Sequence, residues 1–128
     1  MTVSLSTIFL WLAFAVAAFG TVGHISAGGR MFVDALFATD QMTEQAKWLG
    51  YVGWHAVSLL LVSFALAFAS VALGFAARDV AIMAALMAGA LSLICIGMGV
   101  VGGEMLKVPA PYLFGVIALS GAAGVLLD

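Results

Sequence analysis

His24 and His55 are the two histidines of this chain, and the other polar groups able to do chemistry stand close to them. Arg30 and Asp34 follow His24, Tyr51 and Trp54 precede His55, and Glu104 comes much later. Tyr51 and His55 are four residues apart, so on a helix the phenol and the imidazole share a face. Three chemistries suit this set. The first is structural: a histidine donates to a neighbouring backbone carbonyl, and Arg30 pairs with Asp34. The second is ligation, since two imidazoles at one depth serve b-type haem or a simple metal ion. Glu104 or Asp34 would add the oxygen ligand of a zinc or iron site. The third is a proton or anion path in a small oligomeric channel or transporter, with histidine titrating near neutral pH.

No nucleophile stands at a diagnostic spacing from a base, so a non-enzymatic binding role is the leading expectation. His24, Arg30, Asp34, Tyr51, Trp54, His55 and Glu104 are its candidate ligand- or partner-binding residues, with His24 and His55 the metal candidates. The lone Cys95 sits in an apolar run, which leaves no disulfide framework and no cysteine metal site.

The elements that must hold these residues are apolar. Hydrophobic residues make up 66% of the 128 and charged residues 8%, against roughly 25% charged in a soluble domain. Four Lys and Arg in a chain of net charge −2 give no cationic surface for nucleic acid. The composition is that of an integral membrane protein whose first partner is the lipid bilayer. Apolar runs near the roughly 20 residues needed to cross it cover 5–23, 49–77, 80–103 and 108–127. The expected fold is all-α, a single domain forming an antiparallel four-helix bundle. No basic n-region precedes Leu5, so the first run reads as a retained span rather than a signal peptide.

Four crossings put both termini, Arg78, Asp79 and Asp128 on one side. His24, Arg30, Asp34, Asp40, Glu44, Lys47, Glu104 and Lys107 fall on the other. Arg30, Lys47 and Lys107 against Arg78 and the amino terminus lean the histidine side towards the cytoplasm. Gly28-Gly29 reads as a glycine C-cap of the first helix. A short interfacial helix or re-entrant turn then carries Met31, Leu36 and Phe37. Thr39-Asp40 would cap the second helix, Glu44 would pair with Lys47, and Trp48, Tyr51 and Trp54 form an aromatic belt at headgroup depth. His55 is expected buried beside His24 at the contact of helices one and two, and Glu104 near the Gly28–Arg30 turn. Small residues four apart (Ala85 and Gly89, Gly99 and Gly103, Ser120 and Gly124) suit close helix packing within one bundle or across a homo-oligomer.

Ala18-Phe19-Gly20 ahead of His24, Tyr51 followed by His55, and Pro109 and Pro111 opening the last run resemble the YgdD/YwdK-like family. Those are small uncharacterised four-helix bacterial membrane proteins. The resemblance implies a small four-helix protein of the bacterial cytoplasmic membrane. The small-residue packing faces and the lack of catalytic spacing suit an accessory part in a larger membrane complex or homo-oligomer. His24 comes later after Gly20 than in that family, and its Pro-x-Gly-Gly is missing. His24, Gly28, Arg30 and Asp34 are also similar to the haem-side motif of succinate dehydrogenase cytochrome b subunits, with Met31 where a second His would stand. That likeness implies a haem- or metal-binding redox subunit.

Overall fold

The computed structural model describes residues 4–127; Met1 to Val3 and Asp128, which the crossing count had put at the chain ends, lie outside the described residues. Among the described residues every element is helical. Helix α1 covers Leu5–Gly23 and runs without a break into a π-helical segment, His24–Val33, and then a short helix α2, Asp34–Ala38. Helix α3 is Glu44–Ala72 and α4 is Arg78–Gly102. A 3-10 turn, Glu104–Lys107, leads to α5, Ala110–Leu126. Three stretches are long and apolar enough to cross a membrane: Leu5–Ala38, Glu44–Ala72 and Arg78–Gly102. The 17-residue α5 is shorter, about 25 Å at 1.5 Å per residue.

Local chemistry sets where these elements begin and end. Ser4 caps α1, its hydroxyl accepting from Thr7 N–H at 3.2 Å. Thr43, not Thr39-Asp40, caps α3 by accepting from Ala46 N–H at 3.3 Å, while the Thr39 hydroxyl accepts from Gln41 N–H within the preceding turn. Arg78-Asp79, between the second and third apolar runs, is the first turn of α4. The chain reverses earlier, at Gly74, whose φ of +75° suits glycine alone without strain. Phe75 N–H donates to Ser70 C=O at 2.8 Å and Gly74 N–H to Val71 C=O at 3.0 Å, a Schellman stop. Gly103, also at φ +75°, ends α4 in a related way.

Helix α5 packs on α1 and α4, and α3 packs on the same two. The contact surface matches large side chains to small ones. Helix α4 contributes Ala81, Ala84, Ala85 and Ala88, and α3 contributes Leu61, Phe64 and Phe68. Phe68 fills the space a side chain at Gly121 would need, with Ala85 behind it. Gly124 lies against Leu10, including its backbone nitrogen. Two serines tie α5 to its neighbours: Ser6 Oγ donates to Gly124 C=O and Ser92 Oγ to Pro111 C=O, both at 2.7 Å. The paired small residues thus serve contacts inside this chain. Ala85 meets the Gly121 site, Gly89 faces Ala118, and Gly99 is covered by Leu106.

The tight crossing at Gly124 carries a test. Gly124→Ala sets a methyl 3.0 Å from the Leu10 backbone nitrogen, and overpacking of this kind costs about 1–3 kcal/mol. Gly53→Ala, with nothing within 4 Å, should be neutral or slightly stabilising, because alanine is the better helix former by about 1 kcal/mol. Thermal unfolding of both variants in mild detergent measures the difference.

Candidate functional site

Gly28 and Gly29 do not stop the first helix. The chain stays helical through both, and Asp34 N–H donates to Gly29 C=O five residues back, the π pattern. Such stretches are seldom more than one turn and often accompany function. What Gly28 provides is room. A Cβ there would collide with Trp54 Cη2, the tip of the indole, with Cζ2 and Cζ3 progressively further away. The indole therefore points edge-on at Gly28. It lies near-parallel to two rings of the π segment, His24 at 3.6 Å and 18° and Phe32 at 5.2 Å and 17°. Those residues stand four before and four after Gly28. Trp54 is thus a wedge between His24 and Phe32, seated on the bare backbone of Gly28.

His24 is committed to this joint. Its Nε2 lies 3.2 Å from the Trp54 carbonyl oxygen, and since a carbonyl only accepts, Nε2 carries the proton and donates. Ser58 Oγ donates to the same oxygen at 3.2 Å. Beyond the wedge, Leu36 of α2 covers Gly50 of α3 at 3.1 Å. Phe37, Trp48 and Tyr51 meet edge to face with centroids 5.3–5.9 Å apart. Lys47 lies buried on this hairpin and reaches Glu44 Oε1 at 3.0 Å, the pair expected from the spacing.

On the other side of Trp54 an open groove of about 440 Å³ separates the π segment from α3. Arg30, Asp34, Tyr51, Trp54 and His55 line it, with Ile25 and Val33 as its apolar part. Tyr51 and His55 share a face, their rings edge to face at 4.5 Å. Five of the seven candidate residues therefore meet in one groove. His55 is exposed rather than buried at the helix contact, because the groove beside it is open. His24 contributes through the wedge instead of the lining, and His55 lines the groove. Glu104 is not part of the site. Its carboxylate takes Lys107 Nζ at 2.6 Å, and its 3-10 turn packs on α4 and α5. The structural expectation that Arg30 pairs with Asp34 also fails: the two charges form no ion pair with each other, and the ion pairs among the described residues here are Glu44–Lys47 and Glu104–Lys107.

The bis-histidine haem or metal centre implied by the cytochrome-like motif would draw on Nδ1 of His24, since its Nε2 proton goes to the Trp54 carbonyl and one ring face lies under the indole. Among the described residues no three of His, Cys, Asp and Glu gather as a metal site would require. The residue that sequence reasoning undervalued is Phe32. Its spacing of eight from His24 across Gly28 was the available signal.

Compared with known proteins, the chain matches no family model, no curated protein and no solved structure.

The wedge makes unequal demands on the two histidines. His24→Leu should cost about 1 kcal/mol, the net worth of a hydrogen bond, and His55→Leu, at an exposed site, no more than about 0.5 kcal/mol. In a chain whose Trp11 and Trp48 are replaced by Phe, Gly28→Val should expel the indole of Trp54 and shift its fluorescence, while Gly29→Ala, with open space at Cβ, should leave the spectrum unchanged.

Proposed function

We propose that this chain is an integral membrane, antiparallel four-helix bundle of non-enzymatic, accessory type whose groove docks a ligand at headgroup depth. The dimensions support the depth. The 19 residues of α1 extend about 28 Å, near the roughly 30 Å of hydrocarbon. The π segment and α2 then lie beyond it, against the aromatic start of α3. Arg30, Asp34, Asp40, Glu44 and Lys47, five of the ten charged residues in the chain (four Lys and Arg plus six Asp and Glu), belong to this projecting hairpin. Charged groups belong where water and headgroups can solvate them.

One observation carries the binding role: Arg30 and Asp34 line one groove with opposite charges and no ion pair between them. Tyr51 and His55 add hydrogen-bonding groups on the facing helix. The YgdD/YwdK-like resemblance, in Ala18-Phe19-Gly20, Tyr51, His55 and Pro109, agrees with a small bacterial inner-membrane protein, and Arg30, Lys47 and Lys107 favour a cytoplasmic position for the groove.

Two experiments test this. With Cys95 replaced by alanine, single cysteines at Phe75 and Asp40 should label from opposite sides of a vesicle; same-side labelling overturns the crossing count. Native mass spectrometry in mild detergent should find a ligand retained by the wild-type chain and depleted by Arg30→Gln. Equal retention by both proteins overturns the docking role.

A further inference from the structure

We propose that the groove is the headgroup site for a zwitterionic phospholipid bearing a primary ammonium, with Arg30 on the phosphate and Asp34 on the ammonium. This rests on the groove being a binding site at headgroup depth. The charges themselves select the ligand. Arg30 and Asp34 lie one helical turn apart in the same groove, and neither is neutralised by the other. Lys47, the remaining cation of the hairpin, is already held by Glu44 at 3.0 Å. A phosphate and an ammonium joined by a two-carbon bridge answer both charges in one molecule. An anionic headgroup would satisfy Arg30 and leave Asp34 facing like charge.

The guanidinium presents a planar fork that suits phosphate oxygens, and Tyr51 stands across the groove with a hydroxyl to add. The aromatic arrangement decides between an ammonium and a trimethylammonium. A quaternary amine is held by open aromatic faces. Here the indole of Trp54 is stacked on His24 and Phe32. The ring of Tyr51 is already met by Phe37, Trp48 and His55. A carboxylate that accepts N–H bonds is what the groove offers instead. Ile25 and Val33 continue the lining as apolar surface, and Val22 and Ile25 are exposed on the helix side leading back along α1. That is a path for acyl chains, which commits the site to a lipid rather than a free headgroup.

The test compares phosphatidylethanolamine, phosphatidylcholine and phosphatidylglycerol of identical chains, added to delipidated protein in mild detergent and read by native mass spectrometry. Wild type should retain phosphatidylethanolamine about tenfold better than the other two, the worth of one charge-assisted hydrogen bond. Asp34→Asn should bring it down to the phosphatidylcholine level without weakening phosphatidylglycerol. Arg30→Gln should weaken all three. Both residues are exposed, and circular dichroism confirms that the variants fold. Soluble phosphoethanolamine should fail to displace the lipid; displacement overturns the lipid as source. If Arg30→Gln weakens three lipids that wild type binds equally, the ammonium assignment falls and the groove stands. If neither substitution changes any retention, the groove reading itself falls.

Discussion

The insertion of Trp54 between His24 and Phe32 is the contact on which the projecting hairpin depends. Beyond Gly23 the π segment and α2 have α3 as their partner across space, and α4 and α5 pack elsewhere. From residue 24 to residue 43 the one buried apolar side chain is Leu36. A helical stretch of this length is marginal alone, and one buried leucine does not hold it. Ring stacking, the His24 hydrogen bond to the Trp54 carbonyl and the Leu36–Gly50 contact are what fasten it. Every one of these needs a glycine or a ring at a particular place. A side chain at Gly28 removes the seat of the wedge, and with it one wall of the groove.

Elsewhere the helices are held by a different economy. In the bilayer proposed for this chain, lipid tails are as apolar as leucine, so helices associate through close packing and polar bonds rather than through escape from water. Both interhelical serine bonds end on α5. Gly124 lies in the last turn of that helix, where carbonyls have no partner of their own, and Ser6 supplies one. Near the other end Ser92 Oγ donates to the Pro111 carbonyl, a second anchor of α5 on α4. The glycines of α5 admit Phe68 and Leu10 between these two anchors. The shortest of the long helices is thereby the one most firmly tied on both flanks.

Much of this was legible in the residues. Apolar runs, the Tyr51–His55 face and the Glu44–Lys47 pair are local features, decided within one or two helical turns. What was not legible depends on partners distant in the chain. Gly28-Gly29 has the appearance of a helix stop, yet glycine serves equally for a left-handed turn and for close approach. Trp54, thirty residues away from His24, decides between them. Gly74 poses the reverse problem: it lies embedded in the apolar run 49–77, and its positive φ makes it the turn. Glu104, expected near the Gly28–Arg30 turn, has Lys107 three residues on, and the local partner wins because it requires no loop to be ordered.

The order of charges along the helices accounts for the one pair left open. In Glu44–Lys47 and Glu104–Lys107 the acid precedes the base, and both pairs are closed, at 3.0 and 2.6 Å. That order agrees with the helix dipole, the carboxylate lying towards the positive end and the ammonium towards the negative end, and it is the better one for helical pairs. Arg30 and Asp34 stand in the opposite order, base before acid. That is the weaker order for a helical pair, and exposed pairs are worth only a few tenths of a kcal/mol. Solvation at the open groove then competes on equal terms. The two charges therefore stay apart from each other while lining the same groove.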